Sequence, residues 1–395
     1  VKNVPTLSIK LPLFEPTKTK EEMYETMRSR FSLACNKVLE LKKDNPKLKK
    51  SEIDRLLSEI ELPSTLHQEA RKLALSRYQD WKKNKKTKGF PSFKEKISIL
   101  FNNQNWQLRF DNGYLKVGIP TVEEGNLTMD KYVPVKVNAY SLFWVNYYLT
   151  GEMDKESKYF QSAFEEISKA KKGSAQLYYK KEHWYFSFSL SFELKEKNKA
   201  EKSIGVDRGL RLVAVAGNPE TGKYITFNGK QMGHIRRKFS RLRHKLQKAK
   251  NTKALKQLED KEQRINKYWN HVISKRMVEF ALECGASMIK IEDLSGIRSM
   301  KKFWKRSDRN VNSWAFYDLE SKLTYKAMLA ELSVQKVNPY KTSQECSKCH
   351  TIKKSNRRKD VYKCSSCGHK ENADINASFN IASRPSIVNE DNPAA

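Results

Sequence analysis

The chain has 395 residues, with 77 lysines and arginines against 45 aspartates and glutamates, which gives a formal charge of +32. So large a positive excess indicates a polyanionic partner, and nucleic acid is the obvious one. The sequence has no apolar run of transmembrane length and no signal-peptide core, which argues against the rival partner, a membrane surface.

The first 87 residues are predicted to be mainly helical. Residues 1–12 alternate weakly between apolar and polar side chains, as in one strand. Apolar residues then recur at helical spacing in three segments, at 18–44, 51–62 and 64–85. Ser51 and Ser64 stand where the second and third of these helices need N-caps.

Residues 97–195 read mostly as strands in which aromatic and β-branched residues alternate with polar ones. The predicted strands are 106–110, 114–119, 133–137, 175–179 and 184–194, the last two forming a hairpin. A helical segment near 155–172 is expected to interrupt them. The pattern is typical of a small β-barrel with one solvated side. Tyr178, Tyr179 and Trp184 are candidate nucleic-acid contacts, although the barrel could also be a scaffold.

A charged linker at 196–202 is the best domain boundary in the sequence. Beyond it we predict three consecutive strands, helices from about 232 to 284, a buried strand, a helix at 314–331, a strand at 332–337 and a last helix. This is the element order of an RNase H-like fold, in which the first and fourth strands are neighbours. The fold class expected is therefore α+β and multidomain, with a C-terminal RNase H-like domain.

Three carboxylates fall at matching positions of this predicted domain. Asp207 lies on its first strand, Glu292 ends its fourth strand, and Asp374 opens its last helix. The fold would bring them to one edge, where they repel one another unless cations neutralise them. Two Mg²⁺ ions about 3.5–4 Å apart would do so and activate a water against a phosphodiester. Each acid alone could simply be solvated, and Asp293 is expected to face away because strand side chains alternate.

Two Cys-x-x-Cys pairs, fourteen residues apart, precede the last helix: Cys346 with Cys349, and Cys364 with Cys367. Each pair supplies two thiolates from one knuckle, and two knuckles complete the tetrahedron that one structural Zn²⁺ prefers. Gly368 follows the second pair, where the turn needs a left-handed residue. Disulfides or unrelated thiols are the alternatives. His350 and His369 flank the knuckles but are not needed, because four thiolates satisfy the metal.

Clusters of basic residues are candidates for nucleic-acid contact. Between Lys230 and Arg276 the sequence has sixteen lysines and arginines against three acids, which favours a backbone contact over a solvated helical hairpin. The candidate contacts are Arg71, Lys72, Arg77, Arg236, Arg237, Arg241, Arg243, Lys301, Lys302 and Arg358.

Several segments together resemble the TnpB proteins, which are transposon-encoded RNA-guided nucleases. GVDRGL, IKIEDLSGIR and ADINASFNIA are similar to the three RuvC nuclease segments of that family, and NPYKTSQECSKCH with KCSSCGHKENADIN is similar to its zinc module. The resemblance spans about 200–383, and the N-terminal half resembles the family only in layout. Arg208 stands where the family more often shows an apolar residue. The small type V CRISPR effectors share the same nuclease half.

The resemblance implies an RNA-guided DNA endonuclease of the prokaryotic cytoplasm, associated with the nucleoid. Its guide RNA would derive from the transposon end, and it would cut double-stranded DNA beside a short transposon-associated motif, as a monomer in the complex. Asp207, Glu292 and Asp374 would be the catalytic ligands of two Mg²⁺ ions, and the four cysteines would hold one zinc. Because all three acids are present, the chain is predicted to be active.

The implied layout divides the chain into five parts. These are a wedge-like β-barrel (1–17 and 88–195), a helical recognition insert (18–87), a RuvC-like nuclease (203–340 and 371–383), a zinc module that binds target nucleic acid (341–370) and a disordered tail (384–395). The alternatives are a small type V effector, a nuclease-inactive RNA-guided repressor and a DDE-type transposase. The zinc insertion between Glu292 and Asp374 favours TnpB over the transposase.

Overall fold

A computed structural model describes residues 6–83, 89–123, 126–160, 167–194, 202–209, 212–258, 260–294 and 316–387. These residues form two compact units, an N-terminal unit within 6–193 and a C-terminal unit that begins at Leu194. Both helices and strands occur in each unit, as the predicted α+β class requires. None of the described helices is both long and apolar enough to cross a bilayer.

The three helices predicted for the N-terminal unit are confirmed. They are α1 (Lys18–Asp44), α2 (Lys50–Leu57) and α3 (Ser64–Lys83). The predicted caps are wrong, because α2 already includes Ser51 and α3 begins at Ser64 itself. At the start of α2, the side chain of Glu52 accepts a hydrogen bond from the Lys49 amide at 2.8 Å, which is half of a capping box.

The strands of the N-terminal unit form two sheets. They are β1 (Thr6–Pro12), β2 (Ile99–Phe101), β3 (Gln107–Asp111), β4 (Tyr114–Glu123), β5 (Asn126–Pro134), β6 (Ile167–Lys180) and β7 (His183–Leu194). One sheet has the order β1-β7-β6-β2 and the other has the order β3-β4-β5. A bridge between Leu13 and Val135 connects them, and in the described part of the chain they do not close into a single barrel.

The helix predicted near 155–172 is wrong, because residues 167–172 belong to strand β6. Residues 161–166 lie outside the described part. The helix of this region is instead α4 (Ala139–Thr150), whose apolar side chains run around its whole circumference and hide the helical period. Its ends carry clear signals, since the Asn138 side chain caps the Ser141 amide and Gly151 adopts a left-handed φ of 78°.

The C-terminal unit is built on a five-stranded sheet. Its strands are β8 (Ser203–Asp207), β9 (Leu212–Gly217), β10 (Tyr224–Asn228), β11 (Met288–Glu292) and β12 (Ser333–Val337), in the order β10-β9-β8-β11-β12. The first three strands are antiparallel, whereas β11 runs parallel to both β8 and β12. The predicted adjacency of the first and fourth strands is therefore confirmed.

Helices pack on both faces of this sheet. The helices of this unit are α5 (Lys230–Lys248), α6 (Thr252–Leu258), α7 (Lys261–Glu283), α8 (Phe316–Leu329) and α9 (Ala373–Ser383). Alternation along β8 places Ile204 and Val206 in one core with α7 and α8. Gly205 therefore faces the opposite side, where a Cβ would overlap backbone atoms of α9. This glycine lets α9 lie directly on the strand that carries Asp207.

The residues after α9 correct one prediction. Residues 384–395 were expected to be disordered, yet Ser386 forms a β-bridge with Val337 and the Ile387 amide donates to the Lys336 carbonyl at 2.7 Å. The prediction is thus wrong for residues 384–387, and residues 388–395 lie outside the described part. Residues 386–387, which follow α9, therefore pair with β12.

Candidate metal centres

The ends of β8 and β11 bring two of the predicted acids together. The two strands are parallel and in register, with Val206 opposite Ile291. Asp207 and Glu292 are the next residues along each strand, so they project from the same edge of the sheet at neighbouring positions. Glu292 is buried, and the hydroxyl of Thr342 donates a hydrogen bond to its carboxylate.

Helix α9 supplies the third predicted acid, Asp374, from its first turn. The Asn372 side chain caps this helix by accepting hydrogen bonds from the amides of Asp374 and Ile375, at 2.9 and 3.3 Å. The Arg357 guanidinium pairs with the Asp374 carboxylate at 3.0 Å. Asp374 therefore lies in the first turn of a capped helix with an arginine against its carboxylate.

The charges of Glu292 and Asp374 act electrostatically on Asp207. The pKa of Asp207 is raised to about 8, first by burial and then by the negative charges of Glu292 and Asp374, which Arg357 offsets in part. Burial also raises the pKa of Glu292, against the hydrogen bond from Thr342 and the charge of Arg208. The carboxylates of this edge are hard oxygen donors, the ligand type that Mg²⁺ prefers.

A second candidate centre consists of the four cysteines, whose sulfur atoms all lie within 4.8 Å of one another. The Sγ atoms of Cys346 and Cys367 are 3.7 Å apart, and those of Cys349 and Cys364 are 3.5 Å apart. A disulfide would need about 2.05 Å, whereas ligands about 2.3 Å from a tetrahedral zinc are separated by about 3.8 Å. The spacing fits zinc and excludes the disulfide alternative for these pairs.

The two cysteine knuckles share one backbone geometry. Gly368, after the second pair, has a left-handed φ of 72°, as predicted, and His350, after the first pair, has a φ of 58°. In each knuckle the amide of this residue donates to the carbonyl of the first cysteine. The His350 ring contacts Glu345 at 3.0 Å and the His369 ring contacts Ser347 at 3.4 Å, so both rings have partners outside the sulfur cluster.

Hydrogen bonds fasten the first knuckle to α9. The Asn376 side chain donates to the Glu345 carbonyl at 2.7 Å, and the Asn380 side chain donates to the carbonyls of Thr342 and Glu345 at 2.9 and 2.8 Å. Thr342 in turn contacts Glu292. Sequence reasoning missed these residues, although two asparagines four residues apart in an apolar helix are a signal of buried polar contact.

Arg357 also belongs to this connection and was missed. It lies on β13 (Arg357–Arg358), which pairs with β14 (Val361–Lys363), and β14 pairs with β15 (Lys370–Asn372) in a small sheet around the cysteines. The sequence singled out its neighbour Arg358, which is exposed. Alternation on a strand separates the two side chains, and the structure gives the contact with Asp374 to Arg357.

The basic candidates differ in how free their side chains are. Some are held by neighbours: Arg71 pairs with Asp54 at 2.9 Å, Arg243 pairs with Glu262, and Arg77 donates to the Ser92 carbonyl at 2.9 Å. Arg236 is half-buried. Arg77 is nevertheless exposed, as is Lys72, which pairs with Glu69 at 2.6 Å. Arg237, Arg241 and Arg358 are exposed as well. Lys301 and Lys302 lie outside the described residues.

The aromatic candidates of the β6–β7 hairpin separate in the same way. Trp184 is only 2% exposed and packs edge-on against Tyr24 at a centroid distance of 5.1 Å. It is therefore a core residue, and its selection as a base-stacking candidate is wrong. Tyr179 is 41% exposed and remains available to a ligand.

One protein-family model and several curated proteins are similar to parts of this chain. Residues 316–381 match the family model of the Cas12f1-like TNB domain. The chain is 31% identical over 219 residues to a CRISPR-associated endodeoxyribonuclease Cas12f1 of Sulfoacidibacillus thermotolerans. The aligned region covers 51% of this chain and 50% of that protein. The chain is 31% identical over 158 residues to a TnpB-like protein of Methanocaldococcus jannaschii, covering 38% and 56%. The resemblance to TnpB proteins and small type V effectors is confirmed.

A solved structure supports the same relationship at the level of the fold. The TM-score to a chain in a cryo-EM structure of a Cas12f1–sgRNA–target DNA complex is 0.65 at 13% identity, covering 96% of this chain and 99% of that one. The chain spans about half the length of the curated Cas12f1 and TnpB-like relatives it matches. The TNB match runs from α8 through the cysteine knuckles to α9, so it includes Asp374.

Proposed function

We propose that this chain is an RNA-guided DNA endonuclease of the TnpB type, which hydrolyses phosphodiester bonds at Asp207, Glu292 and Asp374. The observation that carries the proposal is the parallel register of β8 and β11, which makes Asp207 and Glu292 neighbours although 85 residues separate them. The charge of Asp374 acts on Asp207 at the same edge. A carboxyl group whose pKa is raised by burial and by neighbouring carboxylates is typical of functional sites.

The residues of this edge would hold two Mg²⁺ ions. Asp207 and Glu292 would bind them from rigid strand ends, and Asp374 would bind from a capped helix whose position Gly205 allows. Thr342 orients Glu292 by donating a hydrogen bond to its carboxylate. When bound, the two ions would neutralise the carboxylates, activate a water and stabilise the leaving oxygen.

The four thiolates would hold one structural zinc. Because Thr342 and Arg357 bridge the cysteine module and the acids, the zinc would keep two neighbours of the acids in place. The zinc therefore has a structural role at the nuclease edge without taking part in the reaction.

The nucleic-acid partners proposed are a guide RNA and a double-stranded DNA target. The net charge of +32 supplies the attraction to phosphates, and the Cas12f1 neighbour was solved with a single-guide RNA and target DNA. We propose that the guide derives from the transposon end, that cleavage occurs beside a short transposon-associated motif, and that the chain acts as a monomer in the prokaryotic cytoplasm, at the nucleoid.

The test is target cleavage and target binding at equal guide occupancy in Mg²⁺, after purification of the chain with RNA from its native flanking DNA. Asp207→Ala, Glu292→Ala and Asp374→Ala should each lose more than about 10⁴-fold in cleavage rate, because such groups act as a unit. Target binding should survive, since it depends on the basic surfaces.

The matched control is Glu283→Ala, an exposed acid of the same unit that pairs with Arg276. Asp293 is a poor control, because its carboxylate lies 3.5 Å from Lys336 within a network that reaches Arg208. Guided binding of target by the unchanged chain without cleavage would indicate the repressor alternative. Near-normal cleavage by any of the three alanine variants would refute the site.

A further inference from the structure

Arg208, which directly follows Asp207, is a buried arginine with two fixed partners. Its side chain is only 2% exposed. Its Nη2 donates to the backbone carbonyl of Glu292 at 2.6 Å, and its Nη1 pairs with the Glu320 carboxylate on α8 at 2.9 Å. One side chain therefore joins the end of β8, the end of β11 and a helix of the adjoining core.

Glu320 connects to the second strand end as well. Its other carboxylate oxygen lies 3.0 Å from the Lys336 ammonium on β12, and that ammonium lies 3.5 Å from Asp293. The residues that follow the two strand-end acids, Arg208 after Asp207 and Asp293 after Glu292, are thus both tied to Glu320. The network holds the two strand ends at a set separation.

Stability alone does not account for a buried arginine at this position. Replacing a buried ion pair by apolar side chains of similar volume is often neutral or stabilising, because both charges must be desolvated. An arginine does offer a planar fork that fixes two acceptors in a defined geometry, which an apolar side chain cannot do. The geometry of Arg208 therefore points to a role in placing its acceptors.

We propose that Arg208 is a positioning residue that acts with Glu320 to fix the backbone of Glu292 relative to Asp207, so that the two carboxylates bind divalent metal as a pair. This inference rests on the proposed nuclease function. Removal of groups that orient metal ligands typically costs about 10–100-fold in metal affinity or activity.

The experiment uses the RNA-bound chain and Fe²⁺ as the metal probe. Fe²⁺ bound in place of Mg²⁺ cleaves nearby backbone through local hydroxyl radicals when ascorbate and peroxide are added, and mass spectrometry locates the fragments. We expect cuts near residues 207 and 292, with Arg208→Leu requiring roughly 10–100-fold more Fe²⁺ than the unchanged chain. DNA cleavage by Arg208→Leu should need correspondingly more Mg²⁺.

Two further variants separate positioning from folding. Val278→Ala removes buried core volume from α7 in the same unit, so it lowers the melting temperature while leaving the Fe²⁺ requirement unchanged. Arg208→Leu/Glu320→Leu removes both charges, so it should melt near the temperature of the unchanged chain and still bind Fe²⁺ weakly. Recovery of normal Fe²⁺ cuts in this double variant would make the role purely structural and overturn the inference.

The remaining outcomes distinguish the inference from the proposed function. Normal Fe²⁺ cuts in Arg208→Leu, together with their loss in Glu292→Ala, would overturn the role of Arg208 and leave the metal site standing. Normal cuts in Glu292→Ala would show that the metal does not bind at this edge, and both proposals would fall. Loss of the Fe²⁺ cuts in Glu292→Ala, together with a higher Fe²⁺ requirement in Arg208→Leu, supports both proposals.

Discussion

The cysteine cluster and the carboxylate edge are both candidate metal centres, yet they are built differently. The four sulfur atoms come from 22 consecutive residues, 346–367, and already lie within 4.8 Å of one another. The acids come from three elements spread over residues 207–374, and in the described part of the chain no group of three or more acidic, histidine or cysteine side chains other than the cysteines is so tightly gathered.

This difference separates a site made by local turns from a site made by topology. Soft thiolates on two knuckles define one tetrahedron, so the sulfur positions alone indicate zinc. The acids instead repel one another, and the hydrogen bonds of Thr342, Arg208 and Arg357 hold their surroundings. Loss of the zinc should therefore disturb the carboxylate edge, whereas loss of an acid should leave the zinc site intact.

Within the cysteine module, the largest effect expected is that of Cys346→Ser, which removes one buried thiolate. Zinc should fall from about one per chain to nearly none, because a structural site needs all four ligands. Cleavage should fall by at least about 100-fold, the upper range for losing groups that orient metal ligands, since Thr342 and Arg357 flank the module. Elemental analysis and a cleavage assay on the same preparation check both numbers.

The control for the cysteine prediction is Cys284→Ser, since Cys284 is half-buried in the same unit and lies outside the sulfur cluster. It should keep both zinc and cleavage. Asp207→Ala tests the reverse direction and should keep zinc while cleavage is lost. Loss of zinc in Asp207→Ala would show that the two centres fold as one.

A smaller effect concerns the stability of the Mg²⁺-free chain. Asp207 has a pKa of about 8 in the folded chain, against about 3.9 when unfolded, so between these values the folded state binds more protons. The free energy of unfolding should therefore decrease as the pH rises from about 4 to about 8. Asp207→Asn removes this dependence and should melt roughly 4 °C or more above the unchanged chain at pH 8.

The measurement is a series of melting curves between pH 5 and pH 8 in Mg²⁺-free buffer that leaves the zinc in place. The comparison between Asp207→Asn and the unchanged chain cancels the titration of other groups. Added Mg²⁺ should stabilise the unchanged chain and not the variant, by linkage. Parallel pH profiles for the two chains would show that Asp207 is simply a solvated acid.

The elements that sequence reasoning predicted well are those with local signals. The cysteine spacing predicted the two knuckles from neighbouring residues alone. The order of strands and helices after residue 202, typical of an RNase H-like fold, predicted that β8 and β11 are neighbours, from which the proximity of Asp207 and Glu292 follows. Helix α4 was missed because it has no polar face, and only its caps announce it. Hydrophobic periodicity could not identify α4, because a short apolar run is compatible with either an apolar helix or a buried strand.

The supporting residues of the carboxylate edge could not be predicted, because their contacts link distant segments. Arg208 and Glu320 are 112 residues apart, and Thr342 and Glu292 are 50 residues apart. The sequence showed Arg208 only as a departure from an apolar position of the TnpB family. Its burial against two acceptors is a property of how β8, β11 and α8 pack, which no local pattern reports.

The smallest effect expected is that of Gly368→Ala in the second knuckle. Gly368 has a left-handed φ of 72°, a conformation that costs an L-residue about 1–2 kcal/mol. His350 adopts the same conformation in the first knuckle, so one of the two knuckles already carries this strain. Adding it a second time should weaken zinc binding by roughly 10-fold, since about 1.4 kcal/mol is a factor of ten.

Zinc release to a competing chelator measures this change, and Gly285→Ala is its matched control. Gly285 follows α7 with a φ of 63°, so alanine there meets the same backbone strain in a turn outside the sulfur cluster. It should lower the melting temperature and leave the rate of zinc release unchanged. At saturating zinc, Gly368→Ala should cleave DNA at the normal rate, because bound zinc restores the cysteine module and with it the positions of Thr342 and Arg357. A cleavage defect that persists under saturating zinc would mean that the knuckle supports the carboxylate edge by more than holding its metal.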